Sequence, residues 1–92
     1  MSQPLARRLE IVNARGLHAR ASAKFVKTAA AFDACVRVSR DGQTVDAQSI
    51  MGLMMLAAGQ GCFVDVVAEG AEAQAALDAL TELVAARFHE DR

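Results

Sequence analysis

Tryptophan and tyrosine are absent from this 92-residue chain, so its aromatic content rests on four phenylalanines. Proteins that thread single-stranded nucleic acid stack bases on aromatic side chains. With no such platform, and with the phenylalanines falling in core-like positions, a nucleic-acid binder is a poor fit. No run approaches the ~20 apolar residues of a membrane span. The start, Ser2-Gln3-Pro4 followed by Arg7 and Arg8, has no apolar run behind it, so no secretory signal is expected and the cytoplasm is the expected compartment. The two cysteines, Cys35 and Cys62, form no CxxC pair and are read as reduced, buried thiols. P-loop, GxGxxG, HExxH and GxSxG motifs are all missing.

What is present is globular. Hydrophobic residues make up 53% and charged residues 23%, which sets the chain apart from disordered sequences. At this length one domain, 1–92, is expected, burying about 60–65% of its unfolded surface. Such a thin core leaves little room for a deep cleft, so function belongs on loops and helix ends. Net charge is −1, yet residues 1–40 hold eight Lys or Arg against two acids, and residues 41–92 hold two Arg against nine acids. A positive face suited to an anionic partner follows.

Leu5 to Val12 reads as a strand, and Asn13 to Leu17 as a loop. From about Ala19 to Phe32, Ala21, Phe25, Thr28, Ala29 and Phe32 recur at helical spacing. Ala34 to Ser39, the Asp41-Gly42 turn and Gln43 to Asp46 form a hairpin. Ser49 opens a short helix from Ile50 to Leu56. Cys62 to Ala68 is a strand and Ala71 to Phe88 a long helix with Leu77, Leu80, Leu83 and Val84 inside. The order βαββαβα implies an α+β open-faced sandwich: one antiparallel sheet with helices on one face.

Chemistry concentrates at Gly16-Leu17-His18-Ala19-Arg20. A histidine lies where a glycine loop turns into a helix, whose first N–H groups lack internal partners and carry the positive end of the dipole. A phosphate finds donors there, with Gly16 and Ala19 as its backbone cradle and Arg15 and Arg20 as guanidinium forks. Imidazole offers an unprotonated nitrogen near neutral pH and attacks phosphorus without a separate base. A lone histidine is ordinarily just a helix-start residue, but the loop, helix start and two arginines together favour function. A metal site is not expected, because the other histidine, His89, lies far off near the C-terminus. No cofactor is expected either.

The helix after Ser49 is apolar nearly all round. A short helix on a thin sheet cannot bury every face, so some of Ile50, Met51, Met54 and Met55 should be exposed as a docking patch. Core packing is the plainer alternative for any one of them. A phosphate on Ser49 would sit at a helix start, costing the fold little, while placing charge beside that patch.

The segment from Gly16 to Val26 closely resembles the active-site signature of HPr, the histidine phosphocarrier of the bacterial phosphotransferase system. Ser49-Ile50-Met51-Gly52-Leu53-Met54 resembles its second signature, and element order and length also match. The resemblance implies a four-stranded antiparallel sheet with three helices on one face. It implies that His18 is phosphorylated on Nδ1 by enzyme I, with phosphoenolpyruvate as the source, and that enzyme II A-type proteins accept the group. It further implies that Arg20 steadies the phosphoryl group. Ile50, Met51 and Met54 would form the apolar contact surface, with Lys27 on its basic rim. Ser49 would be the site of HPr kinase/phosphorylase. Ala21 stands where many members have proline, a feature that points to the nitrogen-related branch. The chain is then a stoichiometric, monomeric carrier and not an enzyme. A regulatory module that binds a target protein without onward transfer is the alternative, disfavoured because His18 and Arg20 are both present.

Overall fold

In the computed structural model, which describes residues 3–90, four strands and three helices follow the expected order. They are β1 (Leu5–Glu10), α1 (Ala19–Ala30), β2 (Cys35–Arg40), β3 (Gln43–Asp46), α2 (Ile50–Met55), β4 (Phe63–Glu69) and α3 (Ala73–Ala85). All strand pairs are antiparallel, in the order β1-β4-β2-β3. The chain has the expected α+β sandwich fold.

Alternation along β4 shows why one face suffices for the core. Val64, Val66 and Ala68 are fully buried, while Phe63 and Glu69 point to the open face. Val36 and Val38 of β2 do the same beside them. Onto this apolar face pack Phe25 and Ala29 of α1, Leu53 of α2, and Leu77, Leu80 and Val84 of α3. Asp41 and Gly42, at φ 51° and 82°, make the left-handed turn that joins β2 to β3.

Two expectations are corrected. Cys35 is exposed because it falls on a β2 position turned away from the helices, and Cys62, in the turn before β4, packs against the edge of the core only half-buried. Phe63, placed in the core from the sequence, is 50% exposed on the open sheet face, where the Arg8 guanidinium lies 5.7 Å from its ring centre.

The ends of elements also differ. β1 stops at Glu10 because its partner β4 begins only at Phe63. Ile11 stays buried but bonds instead to the turn before β4, through Cys62 O at 2.8 Å and Gly61 N at 2.7 Å. More consequentially, α3 ends at Ala85, not Phe88. Arg87, Phe88 and His89 then form one 3₁₀-type turn with left-handed backbone, at φ 58°, 55° and 59°. Left-handed backbone costs roughly 1–2 kcal/mol per non-glycine residue, so something must hold it. Phe88 is 1% exposed in the core, and Lys24 Nζ donates to its carbonyl at 2.6 Å. The turn sends the chain back across the start of α1.

Candidate functional site around His18

His18 caps α1. Its backbone is extended, at φ −75° and ψ −178°, and its Nδ1 accepts from Arg20 N–H at 3.3 Å. The loop before it is fixed from two sides. Asn13, fully buried, donates from Nδ2 to Gly16 O at 2.9 Å, and Leu17 N–H donates to Ala58 O at 2.9 Å beyond α2. Gly16 is left-handed at φ +65°, and a Cβ there would lie 2.5 Å from Ala58 O. Only glycine allows the loop to approach the end of α2 so closely. Within α1, Ser22 is buried and closes the first turn, its N–H reaching His18 O at 2.8 Å and its hydroxyl Leu17 O at 3.2 Å.

The other ring nitrogen has a partner that sequence reasoning missed. Glu90 Oε1 lies 2.5 Å from His18 Nε2, and Asn13 Nδ2 donates to the same oxygen at 2.9 Å. The two neighbours of the ring assign its tautomer. Nε2 faces a carboxylate, an acceptor, and so carries the proton; Nδ1 faces an N–H donor and so keeps its lone pair. Burial alone would raise the Glu90 carboxyl above its ordinary value. The hydrogen bonds from His18 and Asn13, with the positive charge of Arg15, more than offset it and leave the carboxyl lowered. Its contribution to holding the C-terminal turn is therefore complete above the ordinary carboxylate value and fades as pH falls through the lowered one. No periodicity announces Glu90. It reaches His18 only because the turn at 87–89 reverses the chain.

Two recesses flank the imidazole. One, about 330 Å³, is lined by Arg15, Arg20, Lys24, His89 and Glu90. His89, remote in sequence, thus shares a recess with His18. Arg15 and Arg20 are exposed, and neither side chain has a hydrogen-bond partner among the described residues. Both are free to turn toward an incoming anion. Ala19 is exposed in the first turn, and its N–H has no intrahelical partner. Lys27, one turn past Lys24, extends the basic face and is exposed.

The second recess is shared by Arg15, His18, Met54 and Ala57 to Gly59. It joins the histidine to α2. Ser49 caps that helix, its hydroxyl accepting from Gly52 N–H at 2.9 Å. Leu53 and Leu56 are buried, whereas Ile50, Met51, Met54 and Met55 are 39%, 70%, 40% and 66% exposed. All four apolar candidates of the short helix therefore face outward, and Met54 lines the recess beside the imidazole.

A family model described as the PTS HPr component phosphorylation site matches residues 5–86. The chain belongs to the HPr family. Phosphocarrier protein HPr of Cupriavidus necator is 52% identical to it over 86 residues, covering 94% of this chain and 97% of that protein. Phosphocarrier protein NPr of Shewanella violacea is 41% identical over 86 residues, covering 94% of each. Of these two, the relative named HPr is the more similar. The crystal structure of HPr-C-His from Thermoanaerobacter tengcongensis superimposes with a TM-score of 0.90 at 41% identity, covering 96% of this chain and 99% of that one. Membership places the chain among the phosphocarriers of the phosphotransferase system. Among the described residues, no helix is long and apolar enough to cross a membrane.

Proposed function

We propose that this chain, as one HPr-like domain in the cytoplasm, accepts a phosphoryl group on His18 from enzyme I and passes it to enzyme II A-type proteins. The observation that carries this reading is the His18 imidazole at the start of α1. Its Nδ1 lone pair faces a helix N-terminus, and two unengaged arginines border it. In the transfer, the Nδ1 lone pair forms a P–N bond as the phosphorus–donor bond breaks and its electron pair leaves with enzyme I. The Arg20 N–H bond to Nδ1 is long at 3.3 Å and readily surrendered. The same N–H and that of Ala19 then face the phosphoryl oxygens, whereas the Gly16 N–H, expected in the cradle, is already donated to Asn13 O at 3.2 Å. The P–N bond stays reactive, and the reverse attack by an acceptor releases the imidazole. Alone, the chain turns nothing over.

Docking falls to Ile50, Met51 and Met54, an exposed patch that meets the His18 recess at Met54 and suits a partner that must bring its own reactive group to Nδ1. Lys27 adds a charged rim. Ser49 phosphorylation by HPr kinase/phosphorylase would put a dianion next to this patch and weaken docking.

The test of the reading as a whole is onward transfer. The phosphorylated chain, isolated and mixed with an enzyme II A-type protein, should lose its phosphoryl group to that protein. Retention of the group, together with a His18→Ala protein that still controlled its target normally, would favour the purely regulatory module.

Two substitutions test parts of it. Arg20→Ala should slow phosphoryl transfer about tenfold. That is less than the ~10²–10³ lost with a buried oxyanion donor, because Arg20 is exposed. The fold should survive, since its side chain has no partner among the described residues. An unchanged rate in stopped-flow or quench-flow would remove Arg20 from the site. Ser49→Asp should keep the helix capped, because Asp serves as well as Ser. It should nevertheless weaken binding of enzyme I in calorimetry by roughly tenfold, the size of a like-charge or desolvation penalty at an interface rim. Unaltered affinity would mean that the methionine patch is not the docking surface.

A further inference from the structure

We propose that Glu90 is the positioning residue of His18, holding the imidazole by Nε2–H and balancing the positive charge the ring gains when Nδ1 is phosphorylated. The inference rests on the carrier reading for its chemistry and on the C-terminal turn for its geometry.

The turn is costly and specifically held. Three consecutive non-glycine residues are left-handed, Phe88 is buried as an anchor, and Lys24 clamps its carbonyl. What this arrangement achieves is the delivery of one carboxylate to one nitrogen. The Glu90 side chain is 9% exposed and the His18 side chain 24%, so the contact is largely shielded from water. Asn13 braces Oε1 with the same amide that fixes the Gly16 loop, which ties the carboxylate to the loop that presents His18. Glu90 Oε2 is buried with no partner among the described residues, so the whole pairing runs through Oε1.

Attack by Nδ1 turns a neutral ring into one bearing a formal positive charge. The donor keeps the electron pair of the broken bond, the new P–N bond uses the Nδ1 lone pair, and the proton stays on Nε2. A carboxylate hydrogen-bonded to that N–H stabilises the charged ring, as a buried carboxylate does for the imidazolium of a serine hydrolase triad. The other charged groups around the ring are Arg15 from the loop and Arg20 and Lys24 from α1, all positive, with His89 beside them. Glu90 is thus the acidic group among the lining residues of that recess, and the one able to offset ring charge. The turn also narrows the approach to His18, but on the side of Nε2, which does not react.

The test compares the wild-type chain with Glu90→Ala and Glu90→Gln. The first measurement is the Nε2–H proton of His18 by NMR, which needs no partner protein. The wild type should show a slowly exchanging Nε2–H resonance and an unprotonated Nδ1. In Glu90→Ala the resonance should broaden away, while Glu90→Gln, whose amide oxygen can still accept, should retain it in part. The second measurement is phosphorylation by enzyme I, expected to slow roughly tenfold in Glu90→Ala, about the worth of one hydrogen bond to a charged group, with Glu90→Gln between. Thermal melts control for the fold. A Nε2–H signal identical in wild type and Glu90→Ala would overturn the contact. Loss of the signal with an unchanged rate would overturn its role, and a faster rate would show that the turn only obstructs. Absence of phosphorylation in every protein, wild type included, would instead count against the carrier reading, and the NMR result would still decide whether Glu90 holds the ring.

Discussion

His18→Ala is expected to fold, to bind enzyme I and to take up no phosphoryl group at all. The loss is absolute because the reaction forms a bond to this ring nitrogen, and no positioned substitute exists. His89 shares the recess, yet it lies on the C-terminal turn, not at the start of α1, so the helix N–H groups are not aimed at it. The cost to the fold is small. The ring caps α1 only through a 3.3 Å bond, and removing a weak N-cap costs about 0.5–1 kcal/mol. Docking should persist because the apolar patch belongs to α2. Phosphoryl uptake by a folded His18→Ala protein, seen by intact mass, would show that another residue is the acceptor.

Gly16→Ala is expected to be the most damaging single-atom addition in the loop. Two costs combine. A non-glycine residue at φ +65° is strained by roughly 1 kcal/mol. The new Cβ also meets two backbone atoms, Ala58 O at 2.5 Å and Gly59 Cα at 2.8 Å. Backbone cannot swing aside as a side-chain tip can, so the loop must retreat and stretch the Leu17 N–H to Ala58 O bond. We expect a loss of about 2–4 kcal/mol in all, within the range for strain and overpacking. At about 4–8 °C per kcal/mol for a chain of this size, the melting temperature falls by some 10–25 °C. Transfer should fall about 10²-fold in the molecules that remain folded, because the histidine follows the loop and a displacement near 1 Å is that costly. A melting temperature within a few degrees of wild type would mean that the loop has slack the geometry does not show.

The parts legible in the sequence are those with local causes. Asp41-Gly42 dictates its own turn, Ser49 its own cap, and the spacing of Ala21, Phe25 and Ala29 the inner face of α1. His18 at the helix start follows from the glycine loop before it. That some of Ile50, Met51, Met54 and Met55 must be exposed followed from a counting argument, too many apolar residues for one short helix to bury, although it does not say which, and all four are. What was not legible depends on partners distant in sequence. Nothing local ends α3 at Ala85, since no glycine or proline follows. The helix yields there because Phe88 gains more by entering the core and by the Lys24 clamp than by continuing the spiral. Glu90 reaches His18 across 72 residues of chain only once that has happened. Asn13 looked like an ordinary loop residue for the same reason: one of its two bonds is to Glu90. Cys35 and Phe63 were misplaced because small apolar runs do not say which face of a strand is inside until the sheet is assembled.

The measurement that bears most directly on the central claim is the simplest. The wild-type chain is incubated with enzyme I, Mg²⁺ and phosphoenolpyruvate, and its intact mass is taken before and after brief acid treatment. A gain of one phosphoryl group that acid removes, mapped to His18, is the result we predict. No gain with an enzyme I shown to be competent on another carrier, or a gain that survives acid, would contradict the assignment of His18 as the phosphoryl carrier.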